Sequence, residues 1–334
     1  MGRLKPATMS VLVLSRDDVL HLLPPVLAVE TQREAYRAAA LGQGRLTAFA
    51  RAVDAADDSL SFALTGQVRG STGMVGKVGI QLPANSARGL PSIHAVVFVF
   101  DPVTGVPLAC LNGAALTVLR TSAGLAAAGQ ALAPREATTL GVLGVGEQGR
   151  SVVRMMAAVR DLTEVVLWSP TPSRRERAAA VLSAELGIEV LTAGSPREVV
   201  ERSQILATCS RSREPLVRGA WTWPGQTVLT IGCYDRDRQE VDLAVSRSAR
   251  TFVDDRGKCL EHCGPILAAI EAGVLRAAEL TPIGAVLAGQ AQGRRHAEEV
   301  LVFHSMGMGL QDATAAWAVY EGAVEQGVGA VVDL

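Results

Sequence analysis

Leu140-Gly141-Val142-Leu143-Gly144-Val145-Gly146-Glu147-Gln148-Gly149-Arg150-Ser151-Val152-Val153 is the stretch whose reading decides the fold. An apolar run of strand character meets Gly-x-Gly-x-x-Gly and opens into a helical pattern. Each position has a physical reason. Gly144 permits a tight turn, and Gly146 lets a pyrophosphate approach the backbone. Gly149 lets helix and strand pack closely. The helix N-terminus supplies N–H groups and a partial positive charge, and Glu147 and Gln148 join the expected cofactor contacts. A glycine-rich turn with no ligand is the bland alternative, and the strand–turn–helix context favours a dinucleotide.

Downstream, strands and helices alternate: strands at 139–145, 164–168, 204–209, 227–231 and 251–253, and helices from about Gly149 and Ser173. That alternation marks a doubly wound parallel sheet, an α/β Rossmann fold. The second strand ends Leu167-Trp168-Ser169-Pro170-Thr171-Pro172-Ser173-Arg174-Arg175. NAD sites place an acid about 20 residues after the first glycine to hold the ribose 2′-hydroxyl. None stands here. Ser169, Thr171 and Arg174 suit a 2′-phosphate instead, so NADP(H) is favoured and NAD(H) remains possible. Alternatively Arg174, Arg175 and Arg177 form a solvated helix face. Ser210 and Ile231 close the next two strands on the side where dinucleotides lie and join the expected cofactor contacts.

Upstream, residues 1–10 read as a frayed tail and 11–14 as a short strand. Ser15 caps a helix that Pro24-Pro25 stops, and a second helix follows over 26–42. Runs at 60–64 and 95–100 read as strands of an antiparallel sheet, with a hairpin at 95–110. The Ala-rich segment 121–133 is helical up to Pro134. At the other end a strand over 300–303 precedes an amphipathic helix, Gly309–Gln326, with Leu310, Ala313, Trp317, Tyr320 and Val324 on one face.

Composition limits the options. The chain has 334 residues, 49% hydrophobic and 19% charged, with a net charge of −1. A near-neutral chain with 4% aromatics offers neither a polyanion-binding surface nor base-stacking platforms, so no nucleic-acid partner is expected. No apolar run reaches the roughly 18 residues of a membrane span, and the run at 11–14 is too short for a signal peptide. Five scattered cysteines read as reduced thiols of a cytoplasmic enzyme. Cys259-Leu260-Glu261-His262-Cys263 lacks the second pair that a metal site would need, and no metal is expected.

Further blocks carry a resemblance. Gly76-Lys77-Val78-Gly79, Pro83-Ala84-Asn85, Phe100-Asp101-Pro102-Val103-Thr104-Gly105, Leu119-Arg120-Thr121-Ser122-Ala123-Gly124, Phe303-His304-Ser305-Met306-Gly307 and Gln311-Asp312 resemble the ornithine cyclodeaminase/mu-crystallin family, in order from about residue 15 to 330. The resemblance implies a homodimer. It also implies a Rossmann NAD(P)-binding domain, 134–306, inserted into an α+β substrate-binding and dimerisation domain, 1–133 plus 307–334.

It further implies a 2-imino or 2-amino acid substrate whose carboxylate is clamped by Arg51, Lys77 and Arg120, with Arg45 as the substitute for Arg51. An arginine fork makes two parallel charge-assisted hydrogen bonds to a carboxylate. Lys77 and Arg120 sit inside apolar, Gly-rich segments, where a charge is buried for a purpose. Lys77 can also serve in proton transfer. Thr121 and Ser305 would lie near the cofactor. His304 stands where the family has Asp and joins the substrate contacts. His94 faces either the core or the substrate cavity. Cyclodeaminases carry an Asp two residues after the glycine that ends the fifth strand. Counting back from Glu240 puts Tyr234 there, with Asp235 one residue late.

These residues point to hydride transfer to a cyclic or linear 2-imino acid. The alternatives are an alanine- or opine-type dehydrogenase, a cyclodeaminase with bound NAD, and a mu-crystallin-like protein that binds NADPH and a small ligand without turnover.

Overall fold

The structure, a computed structural model, describes residues 10–54 and 56–333. The expected tail lies outside them apart from Ser10. In chain order the first elements are β1 (Ser10–Leu14), α1 (Arg16–Leu22), α2 (Pro25–Ala40), β2 (Gly44–Leu46), β3 (Ala50–Asp54), β4 (Ser59–Val68), β5 (Val75–Gln81), β6 (Ile93–Phe100), β7 (Pro107–Asn112) and α3 (Gly113–Leu132). Then come β8 (Thr139–Leu143), α4 (Glu147–Ala157), β9 (Glu164–Trp168), α5 (Pro172–Leu186), β10 (Glu189–Thr192), α6 (Pro196–Arg202), β11 (Ile205–Thr208) and β12 (Thr227–Thr230). The last are α7 (Leu243–Ser248), β13 (Arg250–Val253), α8 (Arg256–His262), α9 (Gly264–Glu271), β14 (Thr281–Pro282), α10 (Ile283–Leu287), β15 (Leu301–His304), α11 (Gly309–Gln326) and β16 (Ala330–Asp333). No helix among the described residues is long and apolar enough to cross a membrane.

The chain divides into two compact units. One takes the chain to Pro24, Gly42–Arg120 and the chain from Met308 onward. The other takes Pro25–Leu41 and Thr121–Gly307. The division therefore falls inside α3 and not at residue 133, and α2 groups with the later segment. Packing explains the place of α2. Tyr36 is fully buried with its ring edge-on to Phe303 at 6.4 Å, and a Cβ on Gly284 of α10 would lie 2.1 Å from the Tyr36 carbonyl oxygen. The glycine lets the two helices touch backbone to backbone.

The first unit holds a sheet in the order β16-β1-β7-β6-β5-β4-β2, with β3 also paired to β4. Its pairs are antiparallel except β1–β7. Strand alternation turns Val75 and Lys77 of β5 to a buried face and Val78 and Ile80 to an exposed one. Helix α11 covers the buried face. It comes close because Gly66 and Gly309 face each other, a Cβ on Gly66 falling 2.1 Å from the Gly309 carbonyl oxygen.

The buried side of α11 differs from the expected one. Its first two turns are buried all round, and the later seam runs through Ala316, Val319 and Ala323. Val324 is 60% exposed, and Trp317 and Tyr320 are half-buried against each other. Close approach to a sheet selects small residues, and the large ones are left at the margin.

The second unit is an eight-stranded sheet in the order β10-β9-β8-β11-β12-β15-β13-β14, parallel throughout. Every residue of β11, β12 and β15 is buried, as expected of a sheet with helices on both faces. From β8 the chain winds outward first through β9 and β10, then the other way through β11 and β12. The winding therefore reverses at the carboxyl ends of β8 and β11, the place where open α/β sheets bind ligands.

Candidate active site

The glycine turn sits at that reversal. Gly144 has φ +108°, and a Cβ there would meet the Cys209 carbonyl oxygen at 2.6 Å. Gly149 packs so tightly that its Cβ would fall 1.9 Å from the Gly144 carbonyl oxygen. Gly146 is different. Nothing lies within 4 Å of its Cβ position, and it is the N-cap of α4 with no side chain to occupy the first-turn N–H groups of Glu147, Gln148 and Gly149. One glycine makes the turn, one packs the helix, and one leaves room for a pyrophosphate.

A cleft of about 830 Å³ opens here. Gly144, Gly146, Ser169, Thr171, Arg174 and Ser210 line it together, so the structure gathers six of the expected cofactor residues. Arg150, Arg177 and Arg211 also line it. Among the described residues no Asp or Glu does. Arg175 turns aside to donate to the Ser169 carbonyl oxygen at 2.9 Å. The four arginines give the cleft a positively charged lining.

Ile231, Tyr234, Asp235, His304 and Ser305 are outside that lining, at or beyond the carboxyl ends of β12 and β15. The Arg238 guanidinium lies over the Tyr234 ring at 4.8 Å, and Asp235 accepts the Arg236 N–H. His304 is 1% exposed, with Nδ1 2.8 Å from the Thr230 hydroxyl. Burial pulls its pKa down to about 4, so the ring is neutral at neutral pH. The Ser305 hydroxyl donates to Asp254, which also takes the N–H groups of Met306 and Gly307. Thr121 is half-buried on α3.

Glu240 ties this end of the sheet together. It is fully buried. One oxygen accepts the Ser210 N–H and hydroxyl, and the other accepts the Thr208 hydroxyl and the Gly232 N–H. Burial pushes its carboxyl above the usual range, and these hydrogen bonds pull the other way.

In the other unit, three charges are buried together. Lys77 Nζ donates to Asp312 Oδ1 at 2.6 Å, and Arg120 Nε donates to the same oxygen at 3.2 Å. Lys77 is 2% exposed, Asp312 1% and Arg120 9%. Lys77 also reaches the Thr117 hydroxyl at 3.4 Å and lies 5.8 Å from the centre of the Phe62 ring. Register places Arg51 with them: Arg51 pairs with Phe62 and Leu64 with Lys77, so all four side chains share one face. Arg45 is exposed and lines a separate depression beside Asp101–Gly105, so Arg51 is the better placed of the two. His94 pairs with Ile80 on the opposite, exposed face, so it faces neither the core nor the Lys77 side.

The match to known proteins follows the same chain length. Residues 28–327 match the profile of the ornithine cyclodeaminase/mu-crystallin family. The chain belongs to this family. The alanine dehydrogenase of Archaeoglobus fulgidus is 30% identical over 326 residues, 97% of this chain and 98% of that one. The iminosuccinate reductase of Paracoccus denitrificans is 31% identical over 330 residues, 97% and 100% of the two chains. Among solved structures, Thermococcus litoralis Δ1-pyrroline-2-carboxylate reductase, in complex with NADH and L-proline, superposes with a TM-score of 0.93 at 29% identity, covering 96% of this chain and 99% of that one.

Sequence reasoning gave no role to Arg150 and Arg211 in the cleft or to Asp312 in the buried charge cluster. Arg150 and Arg211 carried a weak signal, standing next to motif residues. Asp312 stands in a run that carries the family resemblance, but its role was not legible there. It is 235 residues from Lys77, and an acid in the first turn of a helix reads as a partner of the helix dipole.

Proposed function

We propose that this chain is an NAD(P)H-dependent oxidoreductase that reduces the C=N bond of a cyclic or linear 2-imino acid to the amino acid. The observation that carries the reading is the buried Lys77–Asp312–Arg120 cluster. It has two cations and one carboxylate, a net positive charge held out of water and suited to a substrate carboxylate. The relatives support it, since their names are those of imine reductases and an amino-acid dehydrogenase.

In this reading Arg51, Lys77 and Arg120 hold the carboxylate and so orient the imine carbon. A nicotinamide cofactor, when bound, supplies the hydride. The glycine turn and the first turn of α4 would receive its pyrophosphate, and Ser210 is positioned by Glu240 along the same cleft. Tyr234 is the proposed proton donor to the imine nitrogen, with Asp235 the alternative. His304 is neutral at working pH, so any contact it makes is that of an uncharged ring. The cofactor is proposed to be NADP(H), because four arginines and no acid line the cleft beside Ser169 and Thr171.

The unit with the mixed sheet is the proposed substrate and dimerisation domain, and the parallel-sheet unit the proposed cofactor domain. The exposed face of β5 and β6 supports a homodimer: Val78, Ile80, Val96 and Phe98 are 57%, 36%, 41% and 38% exposed and lie side by side. All five cysteines are free thiols, which fits a reducing cytoplasm.

Loss of NADPH absorbance with Δ1-pyrroline-2-carboxylate or Δ1-piperideine-2-carboxylate, with no ammonia added, is the expected result. A strict requirement for ammonia with pyruvate points instead to the dehydrogenase reading, which the alanine dehydrogenase relative favours. Proline formed from ornithine without change in added cofactor overturns the proposal.

A further inference from the structure

We propose that Asp312 is the positioning residue of the carboxylate clamp. By taking Lys77 Nζ and Arg120 Nε on one oxygen, it fixes the spacing of the two cations and leaves the Nη pair of Arg120 for the substrate. The inference rests on the reading of Lys77 and Arg120 as that clamp. Two buried cations side by side repel each other and each loses its hydration, so the arrangement needs a counter-charge held in place. Asp312 supplies it from the first turn of α11. Simple charge neutralisation asks only that a carboxylate be near. Here both cations converge on Oδ1, and Arg120 is met at Nε, a contact that does not use the end edge formed by its two Nη atoms.

The ammonium is held on further sides. The Thr117 hydroxyl donates to the Gly113 carbonyl oxygen at 2.7 Å, which turns its lone pairs toward Lys77, and the Phe62 ring covers another direction. The approach of α11 that delivers Asp312 depends on the Gly66–Gly309 contact, so backbone packing, rather than a mobile side chain, sets the position of the carboxylate. The cluster sums to one positive charge, the complement of a single carboxylate group.

The test uses the full chain with NADP⁺ and two probes, pyrrole-2-carboxylate and pyrrole-2-carboxamide, with binding read by calorimetry. The wild type is expected to prefer the acid by about tenfold or more, the worth of a hydrogen bond to a charged group. In Asp312→Asn the preference falls to near unity while NADP⁺ affinity is unchanged. A folded Asp312→Asn protein that keeps the wild-type preference overturns the proposal.

If that variant does not fold, Lys77→Met is compared with Lys77→Met/Asp312→Asn, where one buried cation is gone. The proposal expects acid affinity to fall further, by about tenfold, as Arg120 is released. Equal affinities overturn it. A wild type with no preference for the acid removes the clamp and the proposal together. A wild type that has the preference but reduces no imine leaves the proposal standing and removes only the reaction.

Discussion

Lowering the pH should destabilise this protein through His304, and the size of the effect can be worked out. The imidazole is 1% exposed and bonded to the Thr230 hydroxyl, and burial lowers its pKa from 6.5 to about 4. The unfolded chain therefore binds a proton near pH 6.5 that the folded protein refuses until near pH 4. Between those values the unfolded state holds more protons, so stability rises with pH. The contribution is fully present above pH 6.5 and is lost as pH falls toward 4.

Between about pH 7.5 and 4.5 the loss comes to about 2.5 kcal/mol at 1.36 kcal/mol per pKa unit. Other groups titrate in the same range, so the measurement is a difference. Urea unfolding of the wild type and of His304→Asn is followed across that range, and the stability gap between them is plotted against pH. Asn keeps a polar atom near the Nδ1 position but does not titrate, so whatever fixed cost it carries drops out of the slope. The gap should shrink by about 2.5 kcal/mol on acidification. A gap that stays constant would falsify the assignment of a buried, neutral ring.

Three further outcomes are expected. Arg174→Ser should weaken NADPH binding by about tenfold or more while changing NADH binding about twofold at most; equal losses for both cofactors would remove Arg174 from the 2′-phosphate. Glu240→Gln should cost about 1–3 kcal/mol in urea unfolding. Each Glu240 oxygen holds one backbone N–H, from Ser210 or from Gly232, so whichever becomes the amide nitrogen strands a donor that cannot rotate away. Val78→Asp places a charge opposite Val96 on the exposed sheet face and should halve the mass seen by light scattering, whereas an unchanged mass would move the dimer contact elsewhere.

Much of the parallel-sheet unit could be read from the chain because its signals are local. Gly144, Gly146 and Gly149 each answer a backbone constraint within a few residues, and β9 falls on the expected Glu164–Trp168. Helix α3 starts at Gly113, earlier than the Ala-rich run suggests. Its signal was Asn112, whose side chain accepts the Ala115 N–H as an N-cap. Elements that exist only by virtue of their neighbours were illegible. β10 runs four residues and β14 two, and neither has a pattern of its own until a parallel partner fixes it. The wrong face on α11 has the same origin. A hydrophobic stripe marks burial only where one side is wet, and the first turns of α11 have no wet side. Lys77 and Arg120 stood out as charges in apolar surroundings. Asp312, their partner, had to be found in three dimensions.

The distance along the chain between those partners has a consequence for synthesis. The parallel-sheet unit is complete once Gly307 has been made, and domains tend to fold as units while the chain emerges. The sheet that carries Lys77 begins with β1 but receives α11 and β16 only after Gly307. Until then Lys77 and Arg120 have no Asp312 to converge on. If the two units have the roles proposed for them, nascent chains should acquire cofactor affinity before they acquire any affinity for an acid.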